Sequence, residues 1–76
     1  MLNAKQTQVV VEKHFKACYD FWIRSGCKDE REAFENAIND IRNMKHDPFS
    51  PHGEEIDIEA RDQFIKYREQ DLGGKK

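Results

Sequence analysis

The stretch AKQTQVVVEKHFKACYDFWIRSG, Ala4 to Gly26, decides the fold. It contains no proline, and its apolar residues recur at helical rather than alternating spacing, which predicts one helix from about Ala4 to Ser25. At 100° per residue, Ala4, Val11, Phe15, Cys18 and Trp22 share one tight stripe. Val10 and Phe21 widen that stripe on one flank, Tyr19 and Ile23 on the other, to an apolar arc of roughly 220°, against about 100° for an ordinary surface helix. One neighbouring helix cannot cover such an arc. The helix then ends at Ser25-Gly26-Cys27, where Gly26 suits the left-handed position of a Schellman motif and Cys27 is placed to fold back on Trp22.

Two shorter helices follow. Asp29-Glu30-Arg31-Glu32 reads as a capping box opening the second, whose apolar positions Ala33, Phe34, Ala37, Ile38, Ile41 and Met44 fall within roughly 140° of the helical wheel. Lys45 and His46 suit its C-terminal end, and Pro48 stops any continuation. The third helix starts with Asp57 as N-cap and runs to about Asp71, presenting Ala60, Phe64, Tyr67 and Leu72, with Ile58 and Ile65 at one edge. Acid-before-base pairs Glu12/Lys16, Asp20/Arg24 and Asp62/Lys66 stand four residues apart, the favourable helical order. No strand-like alternation is present. The expected fold is all-α: a three-helix bundle in which a long first helix receives a hairpin of helices 2 and 3 joined by a proline-containing loop. The domain spans residues 1–72, and 73–76 form a disordered tail.

Composition narrows the function. At 76 residues the chain is one small domain with a thin core, which leaves little room for an enzymatic cleft. Five phenylalanines, two tyrosines and a tryptophan argue against disorder. The formal charge of -2, with both signs intermixed, makes nucleic acid an unlikely target as far as charge decides it, even though Lys5, Lys13, Lys16, Arg24 and Lys28 cluster early in the chain. No apolar run is long enough to span a membrane, and the N-terminus lacks signal-peptide features, so the expectation is a soluble cytoplasmic protein with Cys18 and Cys27 reduced.

Two constellations carry the candidate chemistry. HDPFSPHGEEI, His46 to Ile56, holds His46, Asp47, His52, Glu54 and Glu55, residue types that suit zinc or a similar divalent ion, although their spacing matches no tight metal-binding pattern. As a connector, the same loop uses Asp47-Pro48 and Ser50-Pro51 for turns and Phe49 as a plug for the bundle. As a recognition loop, its prolines hold Phe49 outward as an anchor. His14 and Cys18, one turn apart, have the composition of a nucleophilic pair, but Cys18 lies mid-stripe and no third group orients the histidine.

The leading expectation is a non-enzymatic module, without cofactor, that binds protein through the helix 1 face around Val10, Phe21 and Trp22 with Phe49 contributing. The partner is another chain or a second copy in a symmetric homodimer. The alternatives are a small metal-binding protein using His46, Asp47, His52 and Glu54, and a nucleic-acid-associated regulator.

Overall fold

A computed structural model describes the backbone of residues 1–73 and the side chains of residues 1–71. Three α-helices follow in order, α1 (Ala4–Arg24), α2 (Glu30–Arg42) and α3 (Ile58–Gly73), with no strand among the described residues. Each helix packs against the other two, most extensively α1 against α2. The result is the all-α bundle that the hydrophobic periodicity demands. Leu72, expected on the apolar face of α3, has a side chain outside the described residues; so does the expected tail at 74–76, while Gly73 still belongs to α3.

Local chemistry sets the helix ends. Asn3 caps α1, its side chain accepting from the Gln6 backbone N–H at 2.8 Å while Gln6 Oε1 accepts from the Asn3 N–H at 3.1 Å. At the other end Gly26 adopts φ 92°, the Cys27 N–H donates to the Trp22 carbonyl and the Gly26 N–H to that of Ile23, both at 3.3 Å. That is the full Schellman pattern. Asp29 accepts from the Glu32 N–H at 2.8 Å; Glu32 reaches back one residue further than expected, to the Lys28 N–H at 3.2 Å. Helix α2 stops at Arg42, with Asn43 as C-cap, so Lys45 and His46 lie beyond it and Arg42 is the base in its last turn. Asn43 also bonds back to the Asn39 carbonyl, through its backbone and its side-chain amide, and so closes the helix before Lys45 and His46. Asp57 caps α3 through hydrogen bonds from the Glu59 and Ala60 N–H groups.

The core joins Val11 and Phe15 of α1, Ala37, Ile38 and Ile41 of α2, Phe64 and Ile65 of α3, and Met44 and Ile56 of the connection. Phe15 is its aromatic centre, edge-on to Phe34 at 5.2 Å and to Phe64 at 5.9 Å between ring centroids. Tyr67 is 67% exposed, contrary to its expected inward place. Its neighbour Arg68 turns in instead, laying its guanidinium over the Phe15 and Phe64 rings at 5.4 and 5.3 Å. An arginine stem covers apolar surface while its charge interacts with the ring faces. The same Arg68 draws Glu12 across to α3 at 3.7 Å, and Asp62 bonds Arg61 at 2.8 Å. Neither acid forms the i, i+4 pair read from the sequence, nor is Asp20/Arg24 among the ion pairs of the described residues. Arginines, Arg68 across the bundle and Arg61 next in sequence, outcompete lysines that stay solvated, since an exposed i, i+4 pair is worth only about 0.3–0.5 kcal/mol.

The connection between α2 and α3 is pinned at three levels. His46 and Glu55 form an antiparallel bridge, with the Asp47 N–H donating to the Glu54 carbonyl at 2.8 Å. Ile56, only 1% exposed, closes the end of the core, the plugging role expected of Phe49. Thr7, fully buried on α1, accepts the Asp57 N–H at 2.9 Å, and the Leu2 N–H donates to the Glu55 carbonyl at 2.9 Å. The loop is therefore strapped to α1.

Candidate functional site

Three sides of α1 are covered by α2, α3 and the loop, and what each leaves open follows from the wheel. His14, Cys18 and Trp22, one turn apart, face α2, where the Trp22 indole Nε1–H donates to Asp40 Oδ2 at 2.9 Å. Phe15 and Glu12 face α3. Thr7 and His14 meet the loop, the His14 ring lying edge-to-face with Phe49 at 6.0 Å.

Val10, His14, Ala17 and Phe21 fall at i, i+4, i+7 and i+11, which places them on one stripe beside the covered arc. Val10 and His14 are half-buried, Ala17 is exposed, and Phe21 is 59% exposed. Phe49 joins the stripe from the loop and is 52% exposed. Of the four residues proposed from sequence, Val10, Phe21 and Phe49 thus share one apolar seam. Trp22 touches it through an edge-to-face contact with Phe21 at 5.2 Å, but is itself half-buried against the core. At the N-terminal end, Leu2, Lys5, Gln6, Val9 and Val10 line an open, mainly apolar groove. Val9 on its rim is 54% exposed.

The metal-ligating candidates do not converge. His46, His52, Glu54 and Glu55 are exposed, and Asp47 is buried with Oδ1 accepting the Phe49 N–H at 2.8 Å in an Asx turn. Ser50 accepts the His52 N–H at 3.2 Å, and Gly53 takes φ 61°, so Pro51-His52 form the turn expected at Ser50-Pro51. Among the described residues no three His, Cys, Asp or Glu side chains are arranged to hold a metal ion. The acids and histidines of this loop shape its turns and its surface.

His14 and Cys18 do approach, with Cys18 Sγ 3.6 Å from Nε2. Their electrostatics oppose nucleophilic chemistry. Burial, reinforced by the negative charge of Asp40, pushes the Cys18 thiol up to about 11, and burial lowers His14 against the pull of Asp40. A neutral thiol beside a neutral imidazole is a poor nucleophile at neutral pH. Two consequences can be measured. In a Cys27→Ser variant, alkylation of Cys18 by iodoacetamide should still climb by about tenfold per pH unit between pH 9 and 10, because the thiolate fraction is still growing there; a plateau by pH 9 would contradict the assignment. Since the folded-state value lies above the ordinary 9.0, the Cys18 contribution to stability is complete below that value and is lost as pH rises through about 11.

Sequence reasoning missed Thr7, Asp40, Ile56 and Arg68. Thr7 had a visible signal, since it lies inside the apolar arc on the wheel between Phe21 and Val11. Asp40 had none, because its partner Trp22 is eighteen residues away.

The fold and the seam define a class, a small all-α three-helix bundle with an exposed apolar face along its longest helix. No protein-family model, curated protein or solved structure matches the chain. Among the described residues, no helix is long and apolar enough to cross a membrane.

Proposed function

We propose that this chain is a non-enzymatic protein-interaction module that binds through the α1 seam formed by Val10, Ala17 and Phe21 together with Phe49. The carrying observation is the exposure of Phe21 and Phe49 at 59% and 52% on one side of a bundle whose core closes without them. Large aromatic side chains held on a rigid helix and on a strapped loop lose little conformational freedom on binding, which suits them as anchors. The tuning of Cys18 and His14 away from reactivity supports a role without catalysis. A cytoplasmic setting belongs to this reading and is supported by two free cysteines, both half-buried and neither paired.

The test is a Val10→Asp/Phe21→Asp double variant examined by sedimentation velocity and circular dichroism. Association, with itself or with a captured protein partner, should be lost while the helical signal stays within about a tenth of the parent value, because Val10 only borders the core and Phe21 lies outside it. Association that survives the double substitution would place the interface elsewhere.

A further inference from the structure

We infer that the occupant of the seam is a second copy of this chain, docked antiparallel across α1 with its two-fold axis between His14 and Ala17. The inference rests on the seam being an interaction face, and adds what fills it. Three features of α1 are matched about that axis.

The first is shape. Val10 and Phe21 are three turns apart, each about 8 Å from the midpoint at 1.5 Å rise per residue, so a two-fold rotation lays the protruding Phe21 of one copy against Val10 of the other. Val10 is one wall of the apolar groove that also includes Leu2, Gln6 and Val9. The helix thus carries a projecting aromatic ring at one end of the seam and, around Val10, an open apolar groove at the other, with Phe21 and Val10 at equal distances from the axis. The second is size. Ala17, exposed and small, stands next to the axis and lets the two backbones approach.

The third is charge. Lys13 and Asp20 are seven residues apart, so both line the same outer flank of the seam, and both are exposed. In an antiparallel pair like flanks face each other, which sets Lys13 opposite Asp20 of the second copy and Asp20 opposite its Lys13. Their axial offset is about 3 Å, within the reach of a lysine. A parallel pair would instead turn this flank toward the covered side of α1, where the loop and α2 lie, and separate Lys13 from Asp20 of the second copy. The antiparallel register is the one in which the apolar and the charged positions are satisfied together.

Sedimentation equilibrium of the full chain at low ionic strength tests this. The parent should approach twice the 9.0 kDa chain mass as concentration rises. Lys13→Asp and Asp20→Lys should each weaken the dimer by about tenfold, since each places like charges face to face twice, and combining them should restore the parent affinity. Phe21→Asp should disperse it. A dimer abolished by Phe21→Asp yet indifferent to both charge reversals would overturn the antiparallel register and leave the seam as the interface. A dimer indifferent to Phe21→Asp would overturn the seam itself. A parent that is monomeric throughout would overturn the second copy as occupant. In that case, binding of an acidic peptide or an anionic vesicle that Phe21→Asp removes would retain the face with another partner, and no such binding would remove both.

Discussion

Replacing Phe15 with alanine should leave most of the chain unfolded at 25 °C, read as loss of the helical circular dichroism signal and of a cooperative urea transition. Phe15 is 6% exposed and holds the rings of Phe34 and Phe64 and the Arg68 guanidinium around it. Truncating a buried phenylalanine costs about 3–5 kcal/mol. A core of this size rarely supplies more than about 3–5 kcal/mol in all, so one substitution consumes the margin. The Arg68 side chain makes the loss worse than a simple cavity, because its guanidinium loses one of the two ring faces it covers. A Phe15→Ala variant with a midpoint close to that of the parent would mean that α1 is not held by this aromatic centre. If self-association contributes to stability, the parent midpoint should also rise with protein concentration.

The second large effect lies in the loop. Ile56→Ala should destabilise the fold by about 2–5 kcal/mol, while His52→Ala should stay within about 0.5 kcal/mol of the parent. Ile56 is among the most completely buried side chains, and its N–H donates to the Lys45 carbonyl at 3.4 Å; His52 is exposed at the tip of a turn. Thr7 and Leu2 hold the same segment to α1. Urea titrations of the two variants separate a structural strap from a chemical site. Equal effects at both positions, or a stability of the parent that depends on added zinc, would contradict the strap.

These contrasts show where the sequence was legible. The wide arc on α1 called for cover from more than one direction, and α2, α3 and the loop each provide some. The Schellman end at Gly26 and the caps at Asp29 and Asp57 were readable because capping is a local interaction of a few residues. The end of α2 was not, since Lys45 and His46 satisfy the dipole rule as well as Asn43 satisfies the cap, and the His46–Glu55 bridge that takes the chain away joins residues distant from the cap. Tyr67 and Arg68 illustrate the same limit: hydrophobicity favoured the tyrosine inward, whereas three-dimensional packing favoured the longer arginine across two rings.

The seam was half legible. Val10 and Phe21 stand on one flank of the α1 arc in any helical projection, but whether that flank is covered depends on where α2 and the loop come to rest. Trp22, beside Phe21 in sequence and edge-on to its ring, is turned toward α2 and tied down by Asp40. Phe49 reaches the seam only because the Asx turn at Asp47 and the strap at Ile56 bring the loop against His14. The prolines around Phe49 suggest an outward anchor, but its contact with His14 of α1 follows only from the folded loop.

Hydroxyl-radical footprinting of the parent protein across a dilution series puts the docking of α1 to a direct test, with Tyr67 as the internal reference, 67% exposed and beside Gln8 and Glu12 on the side of α1 opposite the seam. If α1 docks on a second copy through its seam, modification of Phe21 should fall relative to Tyr67 as concentration rises and recover on dilution. A constant ratio of Phe21 to Tyr67 modification at every concentration, up to the highest the protein tolerates, would contradict it.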